Sequence, residues 1–362
     1  MVDALPRCMP IEPAGTPAMQ LGYVVKGTTA SLQQVPIPTP LPGEALVKVL
    51  IAAVCNTDLE ILKGYMGFSG VLGHEFVGVC ERVPPGQEAL LGKRVVGDIN
   101  LPCGQQSGCG ACSFGGIRAR NHCGNRTVLG ILNKDGTYAQ YLSIPTSNLH
   151  LVPDTVSSEN AAFVEPLAAA CRILEQGVVS KGDRVAVIGD GKLGLLIAEV
   201  LGRHVSASGN LVIFGRHQRK MALVSTEANV RAELSADALP AFAKGFEVVV
   251  DATGSPAGLD LAQQLCVPMG KLVLKSTCAA GADFNTAPFV IDELQVIGSR
   301  CGPFGPALKL LEEGLDLTPL IDETLPLERA AEAIEKARTK GCMKVQIRVS
   351  TDNIEPARAA MR

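Results

Sequence analysis

Between residues 20 and 150 the apolar positions come in short runs rich in β-branched residues and punctuated by Gly and Pro. Ala45–Val54 and Phe76–Arg82 are the clearest, and both predict strands. Pro36, Pro38, Pro40 and Pro42 mark an extended, turn-prone connection ahead of the first. Near residue 160 the pattern changes. Asn160–Gln176 is rich in Ala and Leu and predicts a helix. From Arg184 short apolar strands alternate with helical or turn segments. Val185–Ile188, Leu211–Phe214, Glu247–Asp251, Lys271–Leu274 and Glu293–Ile297 read as strands, and Leu193–Leu201 as a helix.

Such alternation argues for an α/β, doubly wound parallel sheet, preceded here by a mostly β half. After Cys301 two amphipathic helices (Ala307–Glu313 and Leu327–Arg338) and a last strand (Lys344–Val349) remain. That tail is too short to fold alone and is expected to pack back on the N-terminal half. No internal repeat or low-complexity tract interrupts the scheme. With 362 residues, 47% of them hydrophobic, the chain has material for two buried cores.

Composition then removes several classes of function. A net charge of −3 gives no reason to expect nucleic acid or an anionic membrane surface as a partner. No apolar run is long enough to span a bilayer or to form a signal core, so the chain reads as soluble and cytoplasmic. In that setting the 12 cysteines point to metal ligation or packing rather than to a disulfide framework.

Gly189-Asp190-Gly191-Lys192-Leu193-Gly194 fits the dinucleotide-binding pattern G-x-G-x-x-G. Gly is common in this chain, so the context carries the weight: the motif follows an apolar strand and opens a helix. The first Gly permits the turn, the second lets backbone approach a pyrophosphate, and the third lets helix and strand pack closely. The helix N-terminus offers N–H groups to the phosphates. Asp190 is expected to turn away from them, with Lys192 offsetting its charge.

A second constellation lies earlier. Cys55, His74 and Glu75 supply a thiolate, an imidazole and a carboxylate, a ligand set suited to a catalytic zinc with one open position. Glu165, before Pro166, could close the coordination directly or through water. Alone, Cys55 would read as core filler and His74 as a turn residue. Cys103, Cys109, Cys112 and Cys123 fall within 21 residues and suit a closed structural zinc site, with His122 as a substitute ligand.

These landmarks resemble the zinc-containing alcohol and polyol dehydrogenases of the medium-chain dehydrogenase/reductase superfamily. The resemblance runs from about Gln20 to Val349. It includes Cys55-x-Thr57-Asp58, Gly73-His74-Glu75-Phe76-x-Gly78, Pro102-Cys103-Gly104, Glu165-Pro166-Leu167-Ala168, the glycine loop, and Asp251-Ala252-Thr253-Gly254. It implies a GroES-like catalytic domain (1–167), a Rossmann domain (168–300), a C-terminal return to the catalytic domain (301–362), and pairing of subunits into a homodimer or homotetramer. It makes Cys55 and His74 zinc ligands, Glu75 a ligand or near-ligand, and Glu165 the counterpart of a second Cys. Thr57 stands where a hydroxyl touches the reacting oxygen, and Asp58 where a carboxylate supports the ligand His. Thr253 falls among the cofactor-binding positions. Three features depart from the pattern. Glu60 occupies the place of a proton-relay His. The cysteine lobe reads C-x5-C-x2-C-x10-C instead of C-x2-C-x2-C-x7-C. The acid expected after the second Rossmann strand is missing.

That missing acid directs the expected cofactor toward NADP(H) over NAD(H). At the strand end the chain reads Gly215-Arg216-His217-Gln218-Arg219-Lys220. Gly215 would leave room for a 2′-phosphate, Arg216 could grip it, and Arg219 or Lys220 could add charge. The implied reaction is hydride transfer between a small alcohol or carbonyl substrate and the nicotinamide, with zinc polarising the oxygen and Thr57 carrying the proton away. The competing readings are a zinc-free enone or quinone reductase of the same fold, and a non-catalytic protein that kept the fold.

Overall fold

The computed structural model describes residues 18–103, 121–205, 209–276 and 285–350. Its first half is β-rich. Strands β1 (Met19–Lys26) and β2 (Thr29–Pro36) form a hairpin, followed by β3 (Glu44–Ala53), helix α1 (Asn56–Ile61), β4 (Gly70–Val71), β5 (Glu75–Arg82) and β6 (Arg94–Gly97). β7 (Asn100–Leu101) and β8 (Thr127–Val128) make a small ribbon, and β9 (Tyr141–Pro145) and β10 (Leu149–Leu151) complete this part.

Helices α2 (Ser158–Ala161) and α3 (Val164–Glu175) follow, where the composition predicts one helix. The break has a local cause. Pro166 lacks an N–H and is tolerated in the first turn of a helix but not inside one. The chain therefore starts a new helix at Val164. Then come β11 (Val185–Ile188), α4 (Lys192–His204), β12 (Leu211–Gly215), α5 (Gln218–Met221), β13 (Val230–Leu234), α6 (Ala238–Phe242), β14 (Phe246–Asp251), α7 (Pro256–Leu265), β15 (Cys266–Leu274), α8 (Ala287–Ile291) and β16 (Gln295–Gly298). β16 begins two residues later than the pattern predicts, because Glu293 turns the backbone with φ +48°. The C-terminal part is α9 (Phe304–Glu312), β17 (Ile321–Pro326), α10 (Ala330–Arg338) and β18 (Lys344–Arg348).

Six strands form a parallel sheet in the order β13-β12-β11-β14-β15-β16. Chain order reverses between β11 and β14, which opens a crevice at their carboxyl ends where such sheets bind ligands. Both faces are covered. Val187, Leu196 and Ile213 belong to a core on one side, and Ile188, Phe214 and Leu265 to a core on the other. Burial on both faces explains why these strands read as unbroken apolar runs.

A second sheet runs β10-β6-β5-β3-β18-β17, with β9 also paired to β3. The last strands thus join the N-terminal sheet. β18 lies antiparallel to β3, with Gln346 opposite Ala53. Leu50 and Val77 of this sheet share one core with Ala168 and Leu196, so the two halves are packed together and not merely linked.

The glycine loop joins β11 to α4. Gly189 has φ +118°, and a Cβ on Gly194 would stand 2.0 Å from the Gly189 carbonyl oxygen. Gly191 meets nothing within 4 Å and is open to a ligand. Gly194→Ala should therefore push α4 off β11 and destabilise the protein by about 1–3 kcal/mol, as overpacking does. A thermal melt unchanged from wild type would show that the loop relaxes freely.

Candidate active site

The pairing of β3 with β5 sets Ala53 opposite Glu75. Cys55 follows β3 after one residue, and His74 immediately precedes β5, so the two side chains meet at one end of the sheet. Gly73 makes the approach possible. Its φ is +95°, and a Cβ there would lie 2.4 Å from the Tyr138 ring and 2.5 Å from the Thr137 hydroxyl. The Cys55 sulfur and a ligand atom each from His74 and Glu75 lie within 4.8 Å of one another.

Asp58 holds this cluster together. It stands three residues past the N-cap Cys55 and accepts the Cys55 N–H at 2.9 Å, half of a capping box that starts α1. The same oxygen accepts the Tyr138 hydroxyl at 2.8 Å, and Tyr138 is wholly buried. The other oxygen lies 3.2 Å from His74 Nδ1. This charge contact sets Nδ1 against the carboxylate and would leave Nε2 as the nitrogen available for a metal. Burial alone would drive the imidazole pKa down. The anionic fields of Asp58 and Cys55 override it and hold His74 well above 6.5. Burial likewise works to raise the Asp58 pKa, but His74 and the donated hydrogen bonds bring it below the usual value.

Several sequence-predicted residues fall elsewhere. Thr57 is close, its hydroxyl 3.7 Å from the Cys55 sulfur. Glu60 instead turns to Lys63, 2.8 Å away. Glu165 opens α3, but no metal-sized cluster among the described residues includes it. Burial pushes its pKa up to about 7, against the opposing pull of His74. Of the four-cysteine lobe, Cys103 is half-buried and Cys123 buried, while Cys109 and Cys112 lie outside the described residues. Thr253 sits beside Gly189 at the crevice, but its hydroxyl donates to Asp251 Oδ1 at 2.8 Å and serves the turn.

Two expectations about the glycine loop need correcting. Lys192 does not offset Asp190. Its ammonium reaches the Val54 carbonyl at 3.2 Å, next to Cys55 in the other half of the molecule. Burial, and then the neighbouring Lys344, lower its pKa. Nor is the space beside the Gly215 backbone empty. A Cβ on it would meet Asp190 Cβ at 2.6 Å and Met221 Sδ at 2.7 Å.

Lys344 was not expected here at all. Fully buried on β18, it donates to Glu75 Oε2 and lies 5.6 Å from the Phe163 ring centre. The one sign of it in the sequence is a lysine at the start of the final strand.

Comparisons with known proteins identify the family. A family model described as the alcohol dehydrogenase GroES-like domain matches residues 41–154. The starvation-sensing protein RspB of Escherichia coli K12 is 30% identical over 330 residues, covering 87% of this chain and 94% of its own. The chain is a member of the medium-chain dehydrogenase/reductase superfamily. Within it, the chain groups with the zinc-type alcohol and polyol dehydrogenases, and it is an oxidoreductase. A zinc-binding dehydrogenase from Sinorhizobium meliloti, solved with NADP, superposes with a TM-score of 0.81 at 25% identity, covering 92% of this chain and 100% of that one. An alcohol dehydrogenase from Escherichia coli CFT073, solved with NADH, gives 0.81 at 27% identity, covering 91% and 99%. Among the described residues, no helix is long and apolar enough to cross a membrane.

The donor set fits the zinc that this family implies. Thiolate, imidazole and carboxylate converge, and the buried Glu75 Oε1 has no hydrogen-bond partner among the described residues. Asp58→Ala should weaken zinc binding about 10–100-fold by freeing the His74 ring. Glu60→Gln should leave it unchanged. Chelator competition measures both, and equal affinity in Asp58→Ala and wild type would remove the orienting role.

Proposed function

We propose that this dehydrogenase interconverts a small alcohol and its aldehyde or ketone by hydride exchange with a nicotinamide dinucleotide. The observation that carries the reading is the junction at Val54. The cofactor loop, through Lys192, hydrogen-bonds the carbonyl of the residue next to Cys55, which ties the dinucleotide-binding loop directly to the metal-ligand cluster.

Cys55 and His74 would hold the zinc, with Glu75 beside it and Glu165 within reach through a water. When bound, zinc supplies a Lewis acid that polarises the substrate oxygen. Thr57 Oγ1 would accept the substrate hydroxyl proton while giving its own to the cofactor ribose or to solvent. Asp58 and Tyr138 keep His74 in one orientation. Lys344 holds the Glu75 carboxylate in place. Cys103, Cys109, Cys112 and Cys123 would hold a second, structural zinc. The NADP(H) expected from the sequence has the support of the basic residues after β12, while Asp190 fills the side-chain space of Gly215, so the choice of dinucleotide turns on Asp190.

A second copy of the chain is proposed as the partner, with neither nucleic acid nor membrane involved, and the cytoplasm as the compartment. Among the described residues β16 pairs with β15 alone and is the edge strand of its sheet. Around it Val290 and Ile291 are 75% and 78% exposed, and Met269 and Val296 are also exposed. A two-fold axis beside β16 would join two six-stranded sheets and cover these side chains. Val296→Lys should convert the dimer or tetramer to monomer in light scattering. A monomeric wild type would overturn the assignment, and recovery in the membrane fraction would overturn the compartment.

Metal analysis should find two zinc equivalents per chain. Cys55→Ser and His74→Ala should each lose one of them and all turnover of an alcohol panel, while still binding the dinucleotide. Thr57→Val should keep the metal and slow turnover about 10²–10⁴-fold. Full activity without zinc would favour the zinc-free reductase, and no turnover by zinc-loaded wild type would favour a non-catalytic protein.

A further inference from the structure

Gly215 ends β12, where a dinucleotide-binding sheet places the acid that holds the adenosine ribose. It has no side chain, yet its side-chain space is filled. A Cβ built on it would stand 2.6 Å from Asp190 Cβ and 3.0 Å from Asp190 Cγ. The carboxyl group comes from the glycine loop on the neighbouring strand.

Asp190 is fixed there. Its Oδ2 accepts the backbone N–H of Arg216 at 2.9 Å and that of His217 at 2.7 Å, and meets His217 Nδ1 at 2.8 Å. Its Oδ1 accepts no hydrogen bond from a described residue. The side chain is only 9% exposed. Burial works to raise its pKa, but the His217 bonds and the two amides bring it below the usual value, so the group is a carboxylate at neutral pH.

We propose that Asp190 takes over the cofactor-selecting task of the absent strand-end acid and makes the enzyme prefer NAD(H). Its free oxygen can accept a ribose 2′-hydroxyl. A 2′-phosphate brings nearly two negative charges to the same place and finds the Arg216 and His217 amides already occupied. Arg216 and Arg219 are exposed, and neither they nor the half-buried Lys220 form an ion pair with a described residue. They can hold a phosphate once the carboxylate is gone. This replaces the NADP(H) preference expected from the sequence and rests on the dehydrogenase reading above.

The test is direct fluorescence titration of wild type and variants with NADH and NADPH, without substrate. Wild type should bind NADH at least about tenfold more tightly. Asp190→Ala should shrink that ratio about tenfold or invert it, chiefly by tightening NADPH. Asp190→Asn, which keeps an acceptor for both amides and guards against misfolding, should move it the same way. Combining Asp190→Gly with Gly215→Asp should restore the preference for NADH. A wild type that binds NADPH more tightly, or a ratio untouched in Asp190→Asn, overturns the proposal. Binding of neither dinucleotide overturns the dehydrogenase reading instead, so the two failures are told apart.

Discussion

The antiparallel pairing of β3 with β5 is the constraint on which the site depends. It brings the chain just after Ala53 and the chain just before Glu75 to the same end of one sheet. The approach is close enough that Gly73 can carry no side chain. Cys55, His74 and Glu75 then need no further design to converge. Asp58 completes the arrangement because the side chain that closes the capping box of α1 also faces the imidazole. One buried carboxylate thus serves helix start, ring orientation and charge balance.

Burying so many charged groups would be costly if each stood alone. Here they are matched. Asp58 faces His74 and Tyr138, and Glu75 faces Lys344. The Val54 carbonyl accepts both Lys192, from the middle of the sequence, and Lys344, from its last strand. One strap of backbone thereby senses the cofactor loop, the last strand and the metal ligands together. A divalent cation among these ligands would take over the charge-balancing part that a proton on His74 plays without it.

Local chemistry made much of this legible in advance. The strands at Val185–Ile188 and Leu211–Phe214 announce themselves as apolar runs because both their faces are covered. The glycine loop is written in residue types that permit a turn and a close approach. Cys55, His74 and Glu75 are recognisable by ligand chemistry. Edge strands were harder to see. β13 reads VRAEL and β17 reads IDETLP. Each has one strand neighbour, so neither carries the continuous apolar signature of a central strand.

The sequence by itself determined the fold class, the identity of the ligand-type residues and the place of the dinucleotide loop, because these follow from periodicity, glycine geometry and side-chain chemistry within a few residues. Tertiary structure alone decided where long polar side chains go. Glu60 lies in the last turn of α1 and pairs with Lys63, and Lys192 leaves its own loop for Val54. Asp190 fills the space beside a glycine 25 residues later in the chain. The reach of a side chain exceeds the separation between neighbouring strands. Which partner it meets is therefore set by packing across strands and not by spacing along the chain.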